Sequence, residues 1–139
     1  METMIKPTLD YLSPDTMHKN PAYSQGVVTQ GVWRTIYIGG QNAVNHAGEV
    51  VGKGDMKAQA EQVLENIKAV LKAGGATFNN IIKWNVYVLQ GQSVQPAFEV
   101  FQNEMKTMAH PPLVTMIQVA GLANPDFLME VEAIAVVPE

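Results

Sequence analysis

The sequence predicts an α+β fold, a two-layer sandwich in which two amphipathic helices cover one face of a β-sheet. Three observations carry this reading. Two stretches repeat apolar residues on the helical period, and the other apolar stretches are rich in β-branched and aromatic residues bounded by Gly, Pro and Asn. Their order along the chain is β-β-α-β-α-β-β, and two helices on one sheet make two layers.

Residues 1–20 read as an irregular N-terminal segment, with Pro7, Pro14 and Pro21 spread through it and just after it. SQGVVTQG and RTIYIGG then read as two strands joined by a turn near Gln30–Val32, a short hairpin. QNAVNHAGEVVGKG is a Gly/Asn-rich loop with a brief extended piece at Glu49–Val51. Asp55 is placed to cap the helix MKAQAEQVLENIKAVLKA, whose Ala60, Val63, Leu64, Ile67, Val70 and Leu71 form one apolar stripe. Gly74–Gly75 supply its left-handed stop. Ile81–Leu89 reads as a central strand. A second helix is expected from Pro96 to Met108, with Phe98, Phe101, Met105 and Met108 on its buried side. The run after Pro111–Pro112 reads as the entry to a buried strand, and MEVEAIAVV, after a loop at Asn124–Pro125, as the last one.

At 139 residues the chain is expected to be a single domain over 1–139. Hydrophobic residues make up 47% and charged residues only 16%, which points to a globular chain with surface to bury by self-association. The strand Ile81–Leu89 carries apolar groups on both sides, and no third layer exists in the chain, so another subunit is the expected cover. The net charge of −4, with no Lys/Arg run, argues against a nucleic-acid or anionic-membrane partner. There is no cysteine, hence no disulfide, thiol nucleophile or thiolate metal site. No apolar run reaches the roughly 20 residues of a membrane span, and METMIKPTLDYLSPD lacks a signal-peptide core, so a cytoplasmic location is the expectation. His18, His46 and His110 are irregularly spaced, and His46 and His110 read as surface residues; no metal or organic cofactor is implied.

The segment HPPLVTMIQVAGL, His110 to Leu122, resembles the pattern H-P-P-x-R-[ST]-x-V-x-V-x-x-L of the reactive intermediate deaminase (RidA, YjgF-like) family, some of whose members carry an endoribonuclease L-PSP label. PAYSQGV (Pro21–Val27), YIGGQNA (Tyr37–Ala43), QAEQVLENIKAVLKAGGA (Gln59–Ala76), IKWNVYV (Ile82–Val88) and MEVEAIAVV (Met129–Val137) match further family segments in order. The resemblance implies a chorismate-mutase-like fold, a homotrimer whose sheets form a central barrel, and small-molecule clefts between subunits. It also implies hydrolysis of enamines and imines, such as 2-iminobutanoate and 2-iminopropanoate, to 2-oxo acids and ammonia.

Carried over by position, Glu130 matches the water-handling glutamate, Tyr23 the cleft tyrosine and Gly40 the turn glycine. Gln41, with its neighbour Asn42, is a polar candidate at the rim. Gln95 stands where many members have asparagine, and Thr115 follows the clamp position. The clamp itself departs from the pattern. The family's arginine, whose fork binds a carboxylate, is replaced by Val114, and the only arginine in the chain is Arg34. A carboxylate at such a wall would be desolvated without a charge partner, so a neutral or differently anchored ligand is expected. GGQNA opens no helix and is not read as a phosphate-cradling loop. The expected function is therefore that of a divergent imine or enamine hydrolase, with a non-catalytic trimeric metabolite-binding protein as the alternative and an endoribonuclease less favoured.

Overall fold

In the computed structural model, which describes residues 5–139, strands β1 (Thr8–Leu12) and β2 (Gly26–Gln30) form one antiparallel pair. A second, four-stranded sheet is built from β3 (Trp33–Gln41), β4 (Ile81–Leu89), β5 (Leu113–Val119) and β6 (Met129–Pro138) in the order β3-β6-β4-β5. β6 runs antiparallel to both its neighbours, and β4 and β5 are parallel. The parallel pair is possible because helix α2 (Gln95–Met105) makes the crossover between them. Helix α1 (Met56–Ala73) lies beside α2 on the same face of the sheet. Among the described residues no helix is long and apolar enough to cross a membrane.

The amphipathic stripe of α1 builds the core. Ala60, Val63, Leu64, Ile67 and Leu71 are buried against Ile38, Trp84, Val131, Ala133 and Ala135 of the sheet. Each large aliphatic side chain so buried stabilises the fold by about 1.5–3 kcal/mol. The Asp55 side chain accepts from the Ala58 amide at 3.1 Å and starts the helix. At the other end Gly75, with φ +76°, takes the left-handed conformation that stops it.

Four expectations are corrected. The segment 1–20 is not wholly irregular, since Thr8–Leu12 is a strand; residues 1–4 lie outside the described residues. Gly31, at φ +92°, does turn the chain between β2 and β3, but the two do not pair as a hairpin. β2 takes β1 as its partner and β3 takes β6. β5 is an edge strand rather than a buried one: it pairs only with β4, and Val114 is 38% exposed. Lastly, α2 ends at Met105, and Phe98 is exposed because it borders an open cavity between α2 and β5.

One buried polar side chain ties the layers together. Gln59, fully buried on α1, donates from Nε2 to the carbonyls of Gly52 (3.0 Å) and Asp126 (2.8 Å). Its Oε1 accepts from the Leu128 amide at 2.9 Å. Those bonds position the loop that feeds β6. Replacing Gln59 by Ala leaves the Asp126 carbonyl and the Leu128 amide without a partner, while the Gly52 carbonyl keeps the Asp55 amide at 2.9 Å, and should lower the unfolding free energy by about 2–4 kcal/mol. Urea titration of the variant measures this; a loss under about 0.5 kcal/mol would show that the clamp contributes nothing net.

Candidate active site

Side chains alternate along each strand, so the ladder registers assign every residue of the sheet to a face. Met129, Val131, Ala133 and Ala135 of β6 point to the helices and are buried. Glu130, Glu132 and Ile134 point the other way. Through the register they stand opposite Tyr87, Asn85 and Lys83 of β4. Tyr37 of β3 and Ile117 of β5 join the same helix-free face, where Tyr37 is 77% exposed.

Gly40 and Glu130 meet on that face. The β3–β6 register slips between Ile38 and Gln41, so that one extra residue bulges out of β3 at the glycine pair. The Glu130 carboxylate fills the space above Gly40, where a Cβ would collide with it. Only glycine permits this close approach. Gln41, next in line, is half-buried and donates from Nε2 to the Gly39 carbonyl at 3.3 Å. Behind it, Asn42 Nδ2 donates to the Met129 carbonyl at 3.3 Å and so ties the bulge to the base of β6.

Glu132, two residues beyond Glu130 on the same face, is engaged within the chain. Its Oε1 accepts from Asn85 Nδ2 at 2.9 Å and from the Tyr87 hydroxyl at 2.8 Å. These two bonds, that from Asn85 the larger, hold its carboxyl below the ordinary glutamate range. The same bond to Glu132 raises the Tyr87 hydroxyl above its ordinary value. Tyr37, Lys83, Asn85 and Glu132 border a shallow recess there of about 360 Å³. Residue type alone could not reveal this set, because it depends on which strands are neighbours.

Tyr23 and Val114 meet on the opposite side. They line a cavity of about 340 Å³ between β5, α2 and the segment before β2, together with Trp84, Phe98, Phe101 and Met116. Ser24 fixes this segment to the start of β5, its amide bonding the Pro112 carbonyl at 3.2 Å and its hydroxyl the Pro111 carbonyl at 2.7 Å. Tyr23 OH lies 2.9 Å from His18 Nε2 and is the only side-chain polar group among those named wall residues apart from the Trp84 indole N–H. Val114 is registered beside Trp84, whose ring packs against Phe78 at 5.2 Å and edge-on to Phe101 at 5.5 Å.

The other candidates lie apart. Thr115 is exposed and points to the helix-free face, beside Asn85. Gln95 is exposed in the first turn of α2, where its Nε2 bonds Glu99 Oε1 at 3.3 Å. Arg34 cannot supply the missing charge: its guanidinium bonds the Gly74 carbonyl at the end of α1 and pairs with Glu139 at 3.8 Å. One chain therefore holds two half-sites on opposite faces. One carries a carboxylate over a glycine bulge, and the other is an apolar cavity with no cation in its wall.

The chain matches the family model described as endoribonuclease L-PSP over residues 15–137. It is 39% identical over 101 residues to a RutC family protein of Pyrococcus horikoshii, covering 72% of this chain and 77% of that one. It is 31% identical over 114 residues to the human 2-iminobutanoate/2-iminopropanoate deaminase, covering 82% and 79% respectively. Among solved structures it resembles a Rid family protein of Yersinia pestis, with a TM-score of 0.81, 33% identity, and coverage of 93% and 98%.

The Glu132 network sets a pH dependence whose sign follows from its direction. A carboxyl held below its ordinary value of 4.5 adds stability above that pH, and the contribution is lost as pH falls through the lowered value. In Tyr87→Phe one of the two donors is gone, so the Glu132 midpoint should rise toward the ordinary value. Carbon-13 NMR titration of the carboxyl reads this directly. An unchanged midpoint would show that the tyrosine bond does not form in solution.

Proposed function

The chain belongs to the endoribonuclease L-PSP (Rid) family, and from that premise we propose that it hydrolyses an imine or enamine of a small metabolite in clefts between copies of itself. The observation that carries this reading is Glu130 over Gly40: a carboxylate beside a glycine bulge, without the hydrogen-bond partners that occupy Glu132 two residues on. Such a group can take a proton from water.

The chemistry needs little more. An imine carbon is electrophilic, and Glu130 accepts a proton as water oxygen bonds to that carbon. Protonated Glu130 gives that proton to the nitrogen, forming the carbinolamine; it then takes the hydroxyl proton and passes it to the amine as the C–N bond breaks, so that a carbonyl compound and ammonia leave. The atoms balance as one imine and one water giving one carbonyl and one ammonia. Substrate would be held at the Tyr23–Val114 cavity, while Gly40, Gln41 and Thr115 would border the approach to Glu130 and Gln95 the outer rim.

The two half-sites lie on opposite faces of one sheet, so a single ligand reaches both only if a second copy brings its Glu130 face to the first copy's cavity. A closed ring of three satisfies this for every copy and covers Tyr37 and Ile117. Sedimentation equilibrium should give three times the chain mass; a monomer at micromolar concentration would remove the shared cleft. An endoribonuclease fits less well, because the chain carries a net charge of −4 and the cavity wall has no cation to hold phosphate.

Val114 predicts the substrate profile. Enamines generated from serine or threonine should be poor substrates, since nothing in the wall pairs with their carboxylate. Val114→Arg should give about ten- to a hundredfold better capture of 2-iminopropanoate or 2-iminobutanoate, the worth of a charge-assisted hydrogen bond. Adding Glu130→Gln should abolish the gain. Ammonia release, with trimer mass checked in parallel, measures both. A folded, trimeric Val114→Arg protein without gain would favour a metabolite-binding role over catalysis.

A further inference from the structure

A residue of the wall that lacks a cation carries a buried donor without a partner. Trp84 is only 3% exposed, yet its indole Nε1 has no hydrogen-bond partner. It is the one buried side-chain nitrogen or oxygen among the described residues left in that condition. A buried N–H without an acceptor is destabilising, and in a well-packed core such groups are rare. The other tryptophan, Trp33, bonds the Gln30 carbonyl at 2.9 Å.

The position of Trp84 matters as much as its unmet bond. It lines the Tyr23–Val114 cavity, and in the β4–β5 ladder it is registered directly beside Val114. The donor therefore belongs to the residue adjoining the one where a charged clamp is missing. Around it the wall is Val114, Met116, Phe98, Phe101 and Met105, and the cavity, at about 340 Å³, is in the size range of small-ligand sites. Nε1 is itself shielded, so a ligand reaches it only when wall side chains move, and the exposed Phe98 and the adaptable Met105 thioether are the members of that wall best suited to do so.

We propose that the Trp84 indole N–H is the anchor that takes the place of the missing charge, so that the cavity selects an apolar ligand bearing one uncharged acceptor, a carbonyl oxygen or imine nitrogen, over a carboxylate. The inference rests on the reading of this cavity as the ligand site. It accounts for two features together: an apolar wall that would leave a carboxylate desolvated and unpaired, and a buried donor that an uncharged acceptor would satisfy. Val114 and Trp84 then act as a pair, one excluding charge and the other recognising a neutral polar atom.

Three probes of similar shape separate the contributions: 4-phenylbutan-2-one, n-butylbenzene and 4-phenylbutanoate. In a Trp33→Phe protein the single indole N–H cross-peak reports on Trp84. The ketone should move that peak downfield and the hydrocarbon should not. Calorimetry should show the ketone binding about three- to tenfold more tightly than the hydrocarbon, the worth of one hydrogen bond, with the carboxylate weakest. Trp84→Phe should erase the gap between ketone and hydrocarbon while leaving the hydrocarbon bound. Should that variant fail to fold, the cross-peak in the Trp33→Phe protein decides alone. Binding of all three probes without a ketone preference, or a preference for the carboxylate, overturns the inference and leaves the small-ligand site intact. Binding of none overturns both.

Discussion

The side chain of Gln59 is the constraint on which the rest of this molecule hangs. Its amide, buried on the inner face of α1, bonds three backbone groups: the Gly52 and Asp126 carbonyls and the Leu128 amide. Leu128 immediately precedes β6, and β6 is the strand between β3 and β4. A slip of one residue there would turn every side chain of β6 over, putting Glu130 and Glu132 into the core and Val131 and Ala133 outside. Gln59 resists that slip at the point where the strand begins. Asn66, one helical stripe away, does the same for the neighbouring loop by donating to the carbonyls of Asn42 and Val44, at 3.1 and 3.0 Å. Two amides on one helix thus hold both strands that meet at the Gly40 bulge.

The sheet then acts as a partition. Helices cover one face, and the dry core lies under them. The other face carries Glu130, the Asn85–Glu132–Tyr87 set and exposed aromatic and aliphatic side chains, Tyr37 and Ile117. The Asn85–Glu132–Tyr87 set is satisfied within the chain, whereas Glu130 has no hydrogen-bond partner among the described residues and the apolar groups beside it are uncovered. Edge strand β5 carries both environments on its two sides, Val114 toward the cavity and Thr115 toward the helix-free face. That alternation is why a catalytic reading of this chain calls on two copies.

Val114 and Trp84 stand side by side in the β4–β5 ladder, so the side chain at one position bears on what the other can offer a ligand. With an arginine at position 114, an indole beside it would be packing. With valine there, the buried Trp84 N–H on the neighbouring strand is a polar group without a partner. Single substitutions in a site of this kind do not simply delete a contact; they decide which remaining group a ligand can use.

Much of this was legible in the residues themselves. The stripe Ala60–Leu71, the Asp55 cap, the Gly74–Gly75 stop and the bounds of Ile81–Leu89 follow from local spacing and chemistry, and the family was legible through the resemblance of its motifs. Local rules govern them: a helix face, a cap or a strand is set by residues within a turn or two of each other. The strand partners were not legible, and neither was anything that depends on them. Leucine and valine in the β5 run look the same in a central strand and at an edge, so the exposure of Val114 emerged only with the order β3-β6-β4-β5. Thr8–Leu12 became a strand because β2 needed a partner that β3, already paired with β6, did not provide. Glu132, Asn85 and Tyr87 lie 45 and more residues apart across the Glu132 bonds, and only the ladder brings them together. By itself the sequence determined the two helices with their apolar faces and the strands after residue 25, but not the strand Thr8–Leu12 or the end of α2, because helix faces, caps and strand runs are short-range properties. The tertiary structure alone decided which face each acid occupies and which donor is left without a partner, because both are fixed by the register between strands distant in the chain.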